Sequence, residues 1–228
     1  MAFGSDGLGI QFNSASDAQF IGMMALSIIL FSGGMDTRYA DIKPVLKQGI
    51  LLSTVGVLVT TLLTGLFIFF LSHYTHANIE LTLMVSLLLA ATMSSTDSAS
   101  VFSLLRSQRM NLKYNLRPML ELESGSNDPM SYLLTMIGIS LLGNSGTGNI
   151  PLMIFMQLAL GILVGVVVAL IGIALLTKTN FIPEGLETIF VIAIVIFSFG
   201  LAELIGGNSY LSVYLLGILL GNSRIRNK

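Results

Sequence analysis

The chain has few charged residues, no cysteine and no tryptophan. Lys, Arg, Asp and Glu make up 10% of its 228 residues, whereas a soluble globular domain carries roughly 25%. Hydrophobic residues make up 54%, and the mean hydropathy is +0.85. So few charges cannot cover the surface of a soluble fold of this length. The composition therefore predicts an integral membrane protein whose solvent is the lipid bilayer.

These absences also exclude several kinds of site. Without cysteine the chain has no disulfide, no thiolate metal site and no thiol nucleophile. The net charge of -1 gives no reason to expect a nucleic-acid partner. A seven-helix retinal protein needs a lysine in the interior of a span for its Schiff base, and the predicted spans contain none beyond Lys47 at the very start of the second. We therefore expect no cofactor.

The hydrophobic residues fall into seven segments, each long enough or nearly long enough to cross a bilayer. They are residues 18–34, 45–72, 81–105, 118–142, 151–177, 186–205 and 209–222. A polar run interrupts the third segment, and the fourth carries acidic residues. The predicted fold class is an all-α integral membrane protein with about seven transmembrane helices, one of them broken near mid-membrane.

The basic residues predict how these helices are oriented. All 11 Lys and Arg residues lie in four places, namely 35–47, 106–117, 178–185 and the tail after 222. The alternate loops contain none. The positive-inside rule then predicts that all four basic places are cytoplasmic, with residue 1 outside and residue 228 in the cytoplasm. An odd number of spans with an outside start is a first indication that a further helix precedes them.

Four acidic residues lie in the interior of the predicted spans, namely Asp97, Glu121, Glu123 and Asp128, whereas Glu187 and Glu203 lie near span ends. A charged carboxylate near the centre of a membrane helix costs roughly 2.5–3.5 kcal/mol or more. Apart from Lys47 at the start of the second, the predicted spans contain no Lys or Arg that could compensate it. The acids therefore need a bound cation, a proton, a polar cavity, or a partner from residues outside this chain.

The third span carries the polar run Ser94–Ser100, with Asp97 at its centre. Ser and Thr side chains compete with helical backbone hydrogen bonds. Such a run predicts a helix that breaks at mid-membrane and exposes backbone carbonyls to an ion. A continuous helix whose serines pack against a neighbour remains an alternative for the serines alone. The carboxyl group of Asp97 favours an ion site.

The fourth span carries a second acidic and polar run, ELESGSNDP, at residues 121–129. Ser124 and Asp128 are four residues apart and share one face of a helix. Glu123 and Asn127 form a second such pair on an adjacent face. Pairing of Glu121 or Glu123 with a basic residue elsewhere in an intact protein remains open.

Pro129 adds a backbone ligand to this region, because it leaves the carbonyl of Gly125 without its helical partner. The two runs then supply carboxylate, hydroxyl and carbonyl oxygens, which are the ligands that hard cations prefer. The two runs therefore predict a site for a hard cation such as sodium.

At these motifs the sequence resembles the NhaP-type monovalent cation:proton antiporters (the CPA1 family), most strongly their bacterial potassium/proton members. The resemblance rests on Thr96-Asp97, the run 123–129, and the segments 29–35, 101–106 and 210–217. It covers residues 5–226. It implies an inverted-repeat fold, electroneutral exchange of K⁺ or Na⁺ for H⁺, ion and pH homeostasis, a homodimer when intact, and the plasma (inner) membrane.

The resemblance also implies roles for individual residues. Asp128 is the ion- and proton-carrying aspartate, and Ser124, Thr96 and Asp97 contribute to its site. Glu123 pairs with an arginine in a later helix of the family. Asn127 stands where electrogenic relatives have a second aspartate, which implies one cation exchanged per proton.

The resemblance implies an intact protein with about twelve or thirteen spans, more than this chain can hold. Residues 1–228 are therefore expected to be a partial sodium/hydrogen exchanger-type transmembrane domain. On the resemblance, the chain begins near the end of the first helix and stops before the second broken helix and its arginine.

Two other functions remain as alternatives. An intramembrane aspartyl protease-like enzyme would use Asp97 and Asp128 as its pair, although its Gly-x-Gly-Asp motif is absent. A cation channel would have the same composition as an exchanger. The antiporter interpretation, which is not that of an enzyme, is favoured by the specific motif of the fourth span.

The glycines predict how helices pack. Gly161 and Gly165, like Gly217 and Gly221, form small-xxx-small patterns that let helices approach closely. The pair Gly33-Gly34 is predicted to end the first span.

Overall fold

The computed structural model of the protein describes residues 14–74, 80–107, 112–143, 149–178 and 185–223. Throughout those ranges the chain is helical or in turns and contains no strand. The α-helices in them are α1 (Ala15–Asp36), α2 (Tyr39–Ile42), α3 (Leu46–Leu51), α4 (Val57–Tyr74), α5 (Leu83–Thr92), α6 (Ser98–Ser107), α7 (Leu116–Leu142), α8 (Ile150–Lys178), α9 (Glu187–Leu204) and α10 (Ser209–Gly221).

The seven predicted hydrophobic segments correspond to these elements, so the predicted fold class is confirmed. The second segment is one helical run over Tyr39–Tyr74. Its geometry tightens to a 3₁₀ turn at Lys43–Val45, which contains Pro44, and widens to a π turn at Leu52–Gly56. By length and hydropathy, four helical runs can cross a membrane: Ala15–Asp36, Tyr39–Tyr74, Ile150–Thr177 and Glu187–Leu204.

The third segment is broken, as predicted. Helix α5 ends at Thr92, and residues 93–97 leave the helix before α6 begins at Ser98. In the break, the Ser94 hydroxyl donates to the backbone carbonyl of Ala91 at 2.8 Å. The alternative of a continuous helix is therefore wrong, because the polar side chains make local bonds that replace the helical ladder.

The helices form two packed groups. Helices α1, α8, α9 and α10 share an apolar core, whose most buried side chains include Leu30, Val195, Val213, Tyr214 and Leu216. Helices α3, α4 and α5 pack against α7 on the other side. Helix α10 contacts α7 as well as α1, α8 and α9, so it lies between the two groups.

Glycines of α10 let α1 approach it closely. A side chain at Gly217 would meet the backbone of Phe31, and one at Gly221 would meet the backbone of Met35. The Gly217-xxx-Gly221 prediction of close helix packing is therefore confirmed.

Glycines of α8 likewise allow close packing against the other end of α10. A side chain at Gly161 would meet the backbone of Asn208, and one at Gly165 would meet the backbone of Ser212. This second small-xxx-small prediction is also confirmed.

The prediction that Gly33-Gly34 ends the first span is wrong. Helix α1 continues to Asp36, and its last turn is closed by the Thr37 hydroxyl, which donates to the Gly33 carbonyl at 2.9 Å. The two glycines instead make room for neighbours, because Gly33 faces the ring of Phe102 and Gly34 faces the backbone of Tyr214.

The side chain of Asn222 shows which helix ends share a face of the molecule. The Asn222 side chain, just after α10, accepts from the Tyr39 amide and donates to the Thr37 carbonyl, both at 2.8 Å. The end of α10 and the start of the basic segment 35–47 therefore lie together, as the predicted orientation requires. The basic tail 224–228, residue 1 and parts of the loops 106–117 and 178–185 lie outside the described residues.

Candidate ion-binding site

The break between α5 and α6 meets the middle of α7 at Asp128. One carboxylate oxygen of Asp128, Oδ2, accepts a hydrogen bond of 2.8 Å from the hydroxyl of Ser98, the first residue of α6. Asp128 is only 9% exposed, and Ser95 of the break lines the same small cavity beside it. The carboxylate thus lies at the N-terminal end of a half-helix, where the helix dipole favours negative charge.

A polar network fastens the break to the adjacent face of α7. The Asn127 side-chain amide donates to the Thr96 hydroxyl at 2.6 Å and to the Glu123 carboxylate at 3.1 Å. The hydroxyls of Thr96 and Ser124 are hydrogen-bonded at 3.2 Å. The structure therefore brings four predicted site residues, Thr96, Glu123, Ser124 and Asn127, into one contiguous network beside Asp128.

Asp97 has a different environment from the other predicted ligands. Its carboxylate accepts from the backbone N–H of Ser100 at 3.2 Å and from the Ser100 hydroxyl at 2.5 Å. This is the geometry of a helix N-cap, which satisfies a free backbone donor at the start of α6. The side chain is exposed, and its hydrogen bonds within the described ranges are to α6 rather than to Asp128.

The acids of α7 differ in their partners. Glu121 forms an ion pair with Arg117, whose Nε atom lies 3.0 Å from Oε1. Helix α7 begins at Leu116, two residues before the predicted span, and therefore includes Arg117. In the part of the chain that the structure describes, neither Glu123 nor Asp128 forms an ion pair with Lys or Arg.

Pro129 lies inside α7 without interrupting it. The neighbouring backbone is closely covered, since a side chain at Gly125 would meet the ring of Tyr214. The Tyr214 hydroxyl in turn lies 3.5 Å from the backbone carbonyl of Glu121 and donates to it. The use of the Gly125 carbonyl as an ion ligand stays a prediction.

Sequence reasoning assigned no role to two residues that hold the site together, Ser98 and Asn208. Asn208 is fully buried, and its side-chain amide donates to the Pro129 carbonyl at 2.9 Å. Its side-chain oxygen caps α10 by accepting from the Leu211 amide at 3.0 Å. An Asn directly before a helical segment is a recognisable N-cap signal, but its contact with α7 has no local signal.

The side chains around Asp128 offer a cation oxygen ligands from hydroxyl, amide and carboxylate groups. Among the described residues, no cluster of three His, Cys, Asp or Glu side chains is close enough to hold a metal ion. A single buried carboxylate surrounded by hydroxyls suits a singly charged hard cation or a proton better than a multiply charged metal.

A half-helix junction beside a buried carboxylate is the arrangement found at ion sites of membrane transporters. The sequence agrees with that class, because residues 1–228 match the family described as "Sodium/hydrogen exchanger, transmembrane". The chain belongs to this family.

The chain is similar to named relatives. It is 37% identical over 233 residues to the K(+)/H(+) antiporter NhaP2 of Shewanella oneidensis, and 34% identical over 228 residues to the K(+)/H(+) antiporter NhaP of Alkalimonas amylolytica. In both comparisons 99% of this chain is covered, but only 38% of the relative. The chain thus spans well under half the length of these curated relatives.

A solved structure has the same fold. The sodium proton antiporter MjNhaP1 from Methanocaldococcus jannaschii, determined at pH 8, superposes with a TM-score of 0.74. The match covers 91% of this chain and 50% of that one, at 23% sequence identity. The protein is accordingly a multi-pass membrane protein of a transporter family.

Proposed function

We propose that this chain belongs to a monovalent cation:proton antiporter that exchanges K⁺ or Na⁺ for H⁺, with Asp128 as the group that binds either ion. The observation that supports it most is the environment of Asp128. Its carboxylate is buried at a helix break, receives a hydroxyl donor from Ser98, and has no ion pair with Lys or Arg among the described residues. The relatives named as K(+)/H(+) antiporters support the substrate class.

The proposed mechanism is competition at one carboxylate. When Asp128 is ionised, it binds a cation with the help of neighbouring oxygens, and when it is protonated it carries H⁺ instead. Because the two ligands exclude each other, their fluxes are coupled in opposite directions. A rigid-body movement then exposes the site to one side of the membrane at a time.

The network around Asn127 fits electroneutral exchange. Asn127 donates to Thr96 and Glu123 and adds no charge at the site, so one carboxylate carries one ion per cycle. We propose that Ser124 and Asp97 complete the cation site during transport, and that Glu123 pairs with an arginine outside this chain.

The proposal extends to the longer protein, its oligomeric state and its membrane. Residues 1–228 correspond to part of the exchanger domain of the longer relatives. The protein would act as a homodimer in the plasma (inner) membrane, with the basic segments in the cytoplasm, residue 1 outside and residue 228 inside.

An aspartyl protease is not favoured. Such an enzyme needs two carboxyl groups that share one site, whereas Asp97 bonds to Ser100 and Asp128 bonds to Ser98. Family membership also indicates a transporter rather than an enzyme.

A channel differs from an exchanger because it does not couple cation flux to proton flux, so the transport assay must measure both ions.

The test is cation-driven proton movement in proteoliposomes that contain the protein. Addition of K⁺ or Na⁺ should release protons from wild-type vesicles, and Asp128→Asn should abolish this exchange while the protein still folds. Asp17→Asn is the matched control, since Asp17 is an exposed acid in the first turn of α1. Normal exchange by Asp128→Asn, or cation flux without proton movement, would overturn the proposal.

A further inference from the structure

The helical run Tyr39–Tyr74, which comprises α2, α3 and α4, is too long for the hydrocarbon core of a bilayer. It has 36 residues, or about 54 Å at 1.5 Å per residue, whereas the hydrocarbon core is about 30 Å thick. Transmembrane helices tilt by up to about 40°, and that tilt does not shorten the run enough to fit. Its two ends therefore lie among the lipid headgroups, and one of these ends carries Lys43 and Lys47.

The basic end of this run has one face that packs on protein. Ile42, Val45 and Gly49 are buried there. A side chain at Gly49 would meet the side chain of Leu122 in α7. The buried face thus rests on the helix that carries Asp128, six residues beyond Leu122.

A second face of the same end presents an aromatic ring and two cations. Tyr39, Lys43 and Lys47 are spaced four residues apart, so they share one side of the helix, and all three are exposed. The run contains one acid, Asp41, which lies two residues before Lys43 and hence about 200° around the helix axis. Neither lysine forms an ion pair in the ranges that the structure describes. Their charges are therefore available to an external anion.

Apolar side chains continue this face toward the centre of the membrane. Ile50 and Leu51 follow Lys47 by three and four residues and are 49% and 59% exposed. The π turn Leu52–Gly56 comes next, and a side chain at Gly56 would meet no atom within 4 Å. Over about 12 Å of helix the face therefore changes from cationic to apolar, with an open notch beyond.

This order of groups matches the order of groups in a phospholipid. Two ammonium groups on side chains whose Cβ atoms lie about 6 Å apart can donate to the oxygens of one phosphate. A tyrosine beside them suits the headgroup layer, where its ring is apolar and its hydroxyl is solvated. A headgroup with a net negative charge is favoured over a zwitterionic one, because the lysines repel the positive group of the latter.

We propose that Tyr39, Lys43 and Lys47 bind the phosphate headgroup of an anionic phospholipid, whose acyl chains lie along Ile50 and Leu51. The inference is independent of the proposed exchange activity. It assigns the lipid to the outer face of the segment whose inner face packs on α7. The bound lipid would therefore hold this segment against the helix that carries the candidate ion site.

The absence of tryptophan from the chain permits a direct test of lipid contact. Tyr39→Trp places a single fluorescent reporter at the site, and Leu51→Trp places one beside the acyl chains in case the first variant folds poorly. The protein is reconstituted in equal parts of phosphatidylcholine and phosphatidylglycerol. One of the two lipids carries bromine near the headgroup end of its chains, where it quenches tryptophan on contact.

Brominated phosphatidylglycerol should quench the reporter at position 39 or 51 more strongly than brominated phosphatidylcholine does. Tyr74→Trp is the matched control, because Tyr74 is 82% exposed at the other end of the same run, where the sequence 73–80 contains no Lys or Arg. There the two brominated lipids should quench equally.

The role of the lysines is tested by adding Lys43→Gln and Lys47→Gln to Tyr39→Trp. Beside an anionic surface each lysine contributes about a fivefold preference. The ratio of the binding constants of the two lipids should therefore fall by about fivefold or more, and the wild-type ratio should itself fall at high salt. Lys113→Gln is the matched control, since Lys113 is an exposed lysine in the turn before α7, and it should leave the ratio unchanged.

Three results would overturn the proposal. The first is equal quenching by the two lipids at positions 39 and 51, or quenching by neither, which would show that protein covers this face. The second is an unchanged ratio in the double glutamine variant, or an equal fall in Lys113→Gln. The third is displacement of brominated phosphatidylglycerol by millimolar glycerol 3-phosphate, which would show that the lysines bind a soluble phosphate rather than a lipid.

Discussion

The side-chain amide of Asn208 donates a hydrogen bond to the carbonyl of Pro129, 2.9 Å away and one residue beyond Asp128. The bond joins the N-terminus of α10 to the middle of α7. Asn208 also caps its own helix, and its backbone amide donates to the Gln157 carbonyl of α8 at 2.9 Å. One buried residue thus connects three helices at the level of the site.

Two substitutions at Asn208 separate these contacts. Asn208→Ser keeps a side-chain oxygen for the cap but loses the bond to Pro129, and should lower the free energy of unfolding by about 0.5–1.5 kcal/mol. Asn208→Ala also loses the cap, and should lower it by a further 1 kcal/mol or so, on the order of measured cap losses. Unfolding of the purified protein in detergent measures both. A serine variant as stable as wild type would contradict the proposed contribution of the bond.

Removal of the Ser98 hydroxyl should weaken cation binding at Asp128. A hydrogen bond to a charged group contributes about 1.5–3 kcal/mol, and it stabilises the ionised carboxylate to which a cation binds. Ser98→Ala should therefore raise the cation concentration for half-maximal exchange by about tenfold or more. Ser98→Thr keeps a hydroxyl and should restore most of the affinity. Equal affinity in all three proteins would show that the bond has no role in ion binding.

Glu121 should behave as a structural acid, although it lies only seven residues from Asp128. Its ion pair with Arg117 is partly exposed, and such pairs contribute about 0–1 kcal/mol. Glu121→Gln should keep cation-dependent proton release and change the melting temperature little. Loss of exchange comparable to that in Asp128→Asn would place Glu121 in the ion pathway instead.

The contact between α1 and α10 should tolerate no added methyl group. Gly217→Ala would push a side chain into the backbone of Phe31, and such overpacking costs about 1–3 kcal/mol. Gly200→Ala in α9 is the matched control, since it meets no atom within 4 Å. There the better helix propensity of alanine should stabilise the protein by up to about 1 kcal/mol. Thermal unfolding that ranks the two variants in the opposite order would contradict this packing argument.

Much of the fold could be predicted because its causes are local or arise from the solvent. Lipid offers no hydrogen bonds, so each apolar run must satisfy its own backbone as a helix. The break at residues 93–97 follows from Ser, Thr and Asp side chains that compete for nearby backbone groups. The contact between Glu123 and Asn127 follows from a spacing of four residues on one helix.

Contacts between distant segments could not be predicted in this way. The bond from Asn208 to Pro129 joins residues 79 positions apart, and no pattern in either segment indicates the other. The pair Gly33-Gly34 looked like a helix end, but packing against Phe102 and Tyr214 decides its use. The start of α7 at Leu116, which places Arg117 beside Glu121, also differs from the span predicted from hydropathy.

The sequence by itself determined the bilayer environment, the seven helical segments, the broken third segment and the acids that must be compensated. Only the tertiary structure decided which atoms face Asp128, because the helix rotations and crossings are set by packing small residues against backbone. That packing places the Ser98 hydroxyl on the carboxylate of Asp128 and the Asn208 side chain on the carbonyl of Pro129.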